Sequence, residues 1–230
     1  MKLENVVPWG RSLTEYQAMF ALSEEDLQKR ILGCGDGPAS FNAEMTSSGR
    51  QTVTSVDPLY AFSVPDIPRR IIETEHLIMA DVRTNAASFK WSWFENPDAL
   101  LGARKKAMSI FLQDYESGKQ QKRYVAGALP RLEFATNSFD LCVCSHLLFL
   151  YSNQLTLEFH LCSIVELLRL AAEVRIFPLR DLNHERSQHL APVCDYLQAN
   201  GFENELVPVN CEFIPEANQM LRVCRKTNAR

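Results

Sequence analysis

The stretch Arg30-Ile31-Leu32-Gly33-Cys34-Gly35-Asp36-Gly37-Pro38 decides how this chain is read. A short apolar run leads into three glycines at every second position, and a proline follows where a first helical turn tolerates one. The spacing predicts a strand over 30–32 and a helix from Pro38 to about residue 48, with Gly49 as its stop. Glycine reaches positive φ and lacks the Cβ that would hold a ligand away from the backbone. A helix start behind the loop would add unpaired N–H groups and the positive end of its dipole. Residues 51–56, QTVTSV, are rich in β-branched side chains and predict a second strand that ends at Asp57-Pro58. Asp57 stands twenty residues beyond Gly37, where a carboxylate accepts hydrogen bonds from both hydroxyls of a ribose.

Working outward, Ser12-Leu13-Thr14-Glu15 and Ser23-Glu24-Glu25-Asp26 both fit the capping-box pattern, so two N-terminal helices are expected within 1–29. Helical periodicity covers 67–89 and 97–116. Strands are expected at 124–128, 139–145 and 173–178, helices at 156–171 and 192–199, and two last strands at 205–209 and 219–225. Alternating strands and helices argue for a mostly parallel sheet covered on both faces, in one domain spanning 1–230. Ligands of such sheets bind outside the carboxyl ends of the strands. Those ends are Gly33–Gly37, Asp57, Ala128–Leu129, Ser145–His146 and the loop after Pro178. The gap from Asp57 to Tyr124 far exceeds one crossover helix and predicts a helical insertion over about 66–123. Its Trp91, Trp93, Phe94, Phe111 and Tyr115 are candidates to cap a second pocket, against the plainer reading of helices packed on the sheet edge.

Composition narrows the partners. With 24 Lys+Arg against 28 Asp+Glu, a net charge of −4 and no basic stripe, nothing supports a nucleic-acid or anionic-membrane surface. The clusters Arg69–Arg70, Arg104–Lys106 and Lys119–Arg123 read as solvated helix faces. Apolar runs such as Leu147–Tyr151 fall far below the roughly 20 residues that span a bilayer. The 7 cysteines include no C-x-x-C pair, which favours a reduced, cytoplasmic chain with neither a disulfide framework nor a zinc site. Cys142 and Cys144, two apart on a strand, should share one covered face.

The fingerprint of dinucleotide-binding folds needs a third glycine at position 38, and this chain has Pro38. G-x-G-x-G with an acid ending the second strand resembles the class I S-adenosylmethionine-dependent methyltransferases instead. The stretch LEFATNSFD at 132–140 is similar to the segment that enters the fourth strand in small-molecule members. PWGRS and LGCGDGPASF are similar to a narrower, mostly bacterial group. The resemblance covers about residues 30–225. It implies a Rossmann-like fold with a seven-stranded sheet and a C-terminal antiparallel hairpin. It also implies S-adenosylmethionine as cofactor, S-adenosylhomocysteine as product, and methyl transfer to a small-molecule acceptor. The cofactor positions it implies are Gly33, Cys34, Gly35, Gly37, Asp57, Pro58, Ala128, Leu129 and Ser145. The family's acid two positions before the first glycine is Ile31 here, and its acid after the third strand is Ala128. Gly33 carbonyl and Leu129 amide are left to serve the methionine ammonium and the adenine.

Three further residues are candidates for chemistry. His146, after the fourth strand, is the candidate general base, against a half-buried structural histidine. Arg11, in Trp9-Gly10-Arg11, matches a carboxylate in a bidentate fork, so the cofactor carboxylate is its candidate partner. His184 and His189 share a loop with Arg180, Asp181 and Asn183 that suits a polar substrate, whereas His160 reads as structural. Two other readings rank behind methyl transfer: a non-catalytic adenosyl-ligand-binding or interaction protein, and a nucleotide-dependent oxidoreductase.

Overall fold

A computed structural model describes residues 9–225. Seven strands form one sheet: β1 (Ile31–Cys34), β2 (Val53–Val56), β3 (Tyr124–Val125), β4 (Phe139–Ser145), β5 (Ala171–Phe177), β6 (Phe202–Pro208) and β7 (Gln219–Arg225). Their order is β3-β2-β1-β4-β5-β7-β6. The first five run parallel, and β7 lies antiparallel to both β5 and β6. This is the Rossmann-like methyltransferase sheet with its closing hairpin. The strand order reverses between β1 and β4, so the carboxyl ends of these two strands frame the crevice where such sheets bind ligands.

Among the described residues six α-helices accompany the sheet: α1 (Leu13–Phe20), α2 (Phe41–Ser47), α3 (Asp66–Thr84), α4 (Pro97–Gln120), α5 (Leu157–Leu170) and α6 (Leu190–Ala199). Strand periodicity sorts β4 between two cores. Leu141 and Val143 pack with Tyr16, Phe20 and Phe41 of α1 and α2, while Cys142 and Cys144 pack with Ile164 and Leu167 of α5. The two cysteines therefore share one covered face, as their spacing predicts. A third core joins the insertion helices to the sheet edge through Tyr60, Phe111, Tyr115 and Tyr124.

Several local expectations shift for physical reasons. Ser12 and Glu15 form the full capping box of α1. Ser23 and Asp26 exchange the same pair of bonds, each at 3.1 Å, yet only a single 3-10 turn forms. Asp26 is claimed by Arg175 of β5 at 3.0 Å, and the chain must enter β1 directly afterwards. The helix behind the glycine loop starts at Phe41 rather than Pro38, because Ser40 N–H donates to Arg11 carbonyl at 3.0 Å. The start of α2 thus stands back from the loop, and no dipole contribution to the loop is drawn from it. β3 stops at Val125, so Gly127–Leu129 leave the sheet. The basic clusters are not simply solvated faces. Arg104 lies buried on Glu15, Arg123 lies buried on Asp114 and Asn42, and Arg70 stacks over Phe62. Among the described residues no helix is long and apolar enough to cross a membrane.

Candidate functional site

The ends of β1, β2, β3 and β4 surround a cavity of about 460 Å³. Cys34, Gly35, Gly37, Asp57, Pro58, Ala128, Leu129, Ser145, His146 and Arg11 all line it, so the fold brings together every expected position but Gly33. Gly33 serves the loop from beneath. A Cβ there would fall 1.9 Å from Asp36 Oδ2. Gly35 and Gly37 both sit at positive φ, 70° and 51°, which a side chain would oppose. Gly35 N–H donates to Val56 carbonyl at 3.0 Å, and Tyr60 hydroxyl donates to Gly37 carbonyl at 2.7 Å. The loop is held open by bonds on both of its sides.

Asp57 does more than end its strand. Its carboxylate accepts from Gly37 N–H at 2.9 Å and Leu59 N–H at 2.7 Å, one on each oxygen. An ionised carboxylate offers about four acceptor positions, so capacity remains for ligand hydroxyls. Burial pushes its carboxyl up to about 6 despite those two donors.

Asp36 is the residue that sequence reasoning missed. It lies buried under the loop, accepting from Tyr16 hydroxyl at 2.7 Å and Ser55 hydroxyl at 2.6 Å. Burial raises its carboxyl to about 7, against the pull of both hydroxyls, and Asp57 adds a smaller push upward. The signal was an acid between two loop glycines, where a solvated residue would have no reason to fold inward.

A second cavity, of about 130 Å³, opens behind His146. Trp9, Arg11 and His146 line both spaces and form the wall between them. His146 is half-buried at φ 51°, a left-handed conformation uncommon for a side-chain-bearing residue. The turn is held by its N–H on Phe177 carbonyl at 2.7 Å and by Nδ1 at 2.9 Å from Ser145 Oγ. Burial first, then the charges of Arg11 and Arg104, keep its imidazole well below the usual histidine range. The imidazole is therefore neutral at pH 7.

From the insertion, Trp93 and Phe94 reach this second cavity, together with Ile78 and Val82 of α3. Phe111 and Tyr115 do not; both are buried in the third core. Trp91 packs edge-on against Phe213. The insertion thus lines the cavity along α3, the 85–96 connector and the start of α4, through Leu100 and Arg104, and is scaffold along the rest of α4. His184 also lines the second cavity, at φ 67°. His189 faces elsewhere, within 3.1 Å of the Ser152 and Leu155 carbonyls, and His160 is buried against Thr156 carbonyl at 2.7 Å. Asp181 binds its own loop amides and Arg180 pairs with Glu216, so neither is offered to a substrate.

No family model matches the chain. Solved structures similar to it include a TehB-like SAM-dependent methyltransferase from Corynebacterium glutamicum, 14% identical, covering 94% of this chain and 85% of that one at a TM-score of 0.44. Magnesium protoporphyrin IX methyltransferase (ChlM) from Synechocystis with bound SAH is 12% identical, covering 93% and 82% at a TM-score of 0.46. The architecture assigned above rests on the chain's own strand order. A relative in sequence is the uncharacterized protein MJ0045 of Methanocaldococcus jannaschii, 30% identical over 226 residues, which are 98% of this chain and 99% of that one. Matched along nearly the whole length of both proteins, this chain belongs to the family of MJ0045.

Proposed function

We propose that this chain is an S-adenosylmethionine-dependent methyltransferase acting on a small-molecule acceptor. One observation carries the reading: a cofactor-sized cavity at the glycine loop adjoins a smaller, largely apolar cavity across a wall made of Trp9, Arg11 and His146. The residues fit the adenosyl group. Gly35 and Gly37 leave the loop backbone bare, Asp57 keeps free acceptor positions for ribose hydroxyls, and Ala128–Leu129 offer an apolar wall with a backbone amide for adenine. Pro58, Cys34 and Ser145 complete that lining. When bound, S-adenosylmethionine supplies a methyl on a sulfonium sulfur and leaves as S-adenosylhomocysteine.

The chain's own task is alignment, since direct displacement needs little beyond bringing nucleophile and methyl into line. The second cavity holds the acceptor and excludes water from it. His146, neutral and anchored through Nδ1 to Ser145, presents Nε2 to take the proton that the acceptor's heteroatom loses. The small volume and the net charge of −4 support a small molecule over a nucleic acid.

Calorimetry with S-adenosylhomocysteine and with NAD tests this reading. S-Adenosylhomocysteine is expected to bind, and Asp57→Ala is expected to weaken it by roughly 1.5–3 kcal/mol, about 10- to 150-fold, through lost bonds to a charged group. Binding of NAD alone would overturn the reading. Binding of S-adenosylhomocysteine with no methyl transfer to any acceptor would leave an adenosyl-binding protein.

A further inference from the structure

The second cavity carries a charge that methyl transfer does not by itself require. Its charged lining is Arg11, Arg104 and Glu15. Glu15 is taken by Arg104, whose Nη1 lies 2.6 and 2.7 Å from the two carboxylate oxygens. Ser12 N–H also donates to it at 3.0 Å. The cavity's two histidines, His146 and His184, are both held below their usual range, first by burial. Arg11 is what remains. Among the described residues no carboxylate lies within ion-pair distance of it, and its Nη1 donates to the Trp9 carbonyl at 3.0 Å. Arg104 adds a buried Nε with no acceptor.

Arg11 lines both cavities, and the charges closest to it lie on the acceptor side of the wall. The groups whose fields it feels are Arg104, Glu15, Tyr16 and Cys211. Of these, Arg104, Glu15 and Cys211 line the smaller cavity, and none of the four lines the glycine-loop cavity. Around that charge the lining is aromatic: Phe89, Trp93, Phe94 and Phe213. The volume of about 130 Å³ is close to the roughly 150 Å³ apolar cavity known to take benzene. A cavity of this kind accepts one ring. A half-buried guanidinium with no carboxylate bonded to it among the described residues is costly, and a planar carboxylate is the group that satisfies its fork.

We propose that this cavity binds a single-ring aromatic carboxylate, with the ring among Phe89, Trp93, Phe94 and Phe213 and the carboxylate on Arg11. That this ligand is the methyl acceptor rests on the function proposed above; the anion site itself does not. A carboxylate on Arg11 also cancels part of the positive field at His146, so the bound acid makes the imidazole a better proton acceptor.

The full-length chain titrated with benzoate, benzamide and acetate, followed by tryptophan fluorescence, tests the site. Benzoate is expected to bind at least tenfold more tightly than either of the others, since benzamide lacks the charge and acetate the ring. Arg11→Met should erase the preference for benzoate over benzamide. Should that variant fail to fold, Arg11→Lys, which keeps the charge but not the fork, is expected to lower benzoate affinity several-fold. Equal binding of benzoate and benzamide by the unaltered chain overturns the proposal. So does an Arg11→Met variant that loses S-adenosylhomocysteine but keeps 5′-methylthioadenosine, because Arg11 would then hold the cofactor's own carboxylate. Benzoate preference without any S-adenosylhomocysteine binding would sink the methyltransferase reading and leave the anion site standing.

Discussion

The cavity at the glycine loop is built on the ends of four neighbouring parallel strands, with the carboxylates Asp36 and Asp57 held at the loop and Arg70, Glu73 and Thr74 of α3 at its side. The cavity behind His146 is assembled from Trp9–Glu15, α3, the 85–96 connector, α4, the loop after β5 and the segment between β6 and β7. Its polar groups are long charged side chains. The two also differ in how charge is held. Under the glycine loop, carboxyls are pushed toward their neutral form by burial; beside His146, a carboxylate is kept ionised by an arginine. One cavity is a property of the sheet, the other of the tertiary arrangement around it. A generic ligand suits the first and a particular one the second.

The largest expected effect comes from the second cavity and would break the comparison if it spread to the first. Burial alone would raise the Glu15 carboxyl, but Arg104 overrides it and holds the group below its usual range. Arg104 is only 4% exposed, so Glu15→Gln strands a buried guanidinium. A loss of about 3–5 kcal/mol is expected in urea unfolding, with more than half recovered in the Glu15→Gln/Arg104→Met double variant. Because Glu15 lines only the smaller cavity, affinity for S-adenosylhomocysteine should stay within twofold. A tenfold loss there would show that the two cavities are not separable.

How much of this is legible in the sequence follows the same division. The glycine loop, Asp57 at the end of β2 and the alternation that sorts β4 are local patterns, and each lies where its spacing places it. Arg104 sits in a basic cluster and reads as solvated; the residue that buries it lies 89 positions away. Phe111 and Tyr115 carry the same helical signal as cavity-lining residues, and only the packing of α4 on Tyr60 and Tyr124 assigns them to the core. Asp36 stands in the most readable stretch of the chain, yet its role depends on Tyr16 and Ser55 coming to meet it. β3 falls short of its predicted length: a Cβ at Gly127 would lie 2.8 Å from Val56 Cγ2, and the chain there turns away from the sheet.

A second, somewhat smaller effect sharpens the comparison from the other side. In Gly33→Ala the new methyl meets the Asp36 carboxylate, which two hydroxyls hold in place. Overpacking of this kind is expected to cost about 3 kcal/mol. Here, unlike in Glu15→Gln, S-adenosylhomocysteine affinity should fall with stability, because the loop itself must shift. Combining it with Asp36→Ala removes the obstacle, so the double variant should be more stable than Gly33→Ala alone. If the two losses simply add, Asp36 is not what forbids a side chain at position 33.

The smallest effect is a pH dependence in which the two cavities pull in opposite directions. A carboxyl whose folded value is raised, as Asp36 is to about 7 from 3.8, favours the fold in its protonated form. Its contribution is fully present below about pH 4 and declines as pH rises toward 7, where the folded protein must ionise it too. Asp57, raised to about 6, acts the same way over a narrower window. His146 and His184 are held neutral, so they oppose this trend, favouring the fold as pH rises toward 6.5. The unaltered chain reports only the net of these. Asp36→Asn isolates the acid, since an amide still accepts from Tyr16 and can donate to Ser55 as the protonated carboxyl does. Urea unfolding of the ligand-free protein at pH 5 and pH 8 should show the variant gaining on the parent by on the order of 2 kcal/mol across that interval. The two should differ least below about pH 4, where Asp36 is protonated in the folded and the unfolded parent alike. A constant difference across the interval would mean that Asp36 is already ionised in the fold, with Tyr16 and Ser55 donating to a carboxylate.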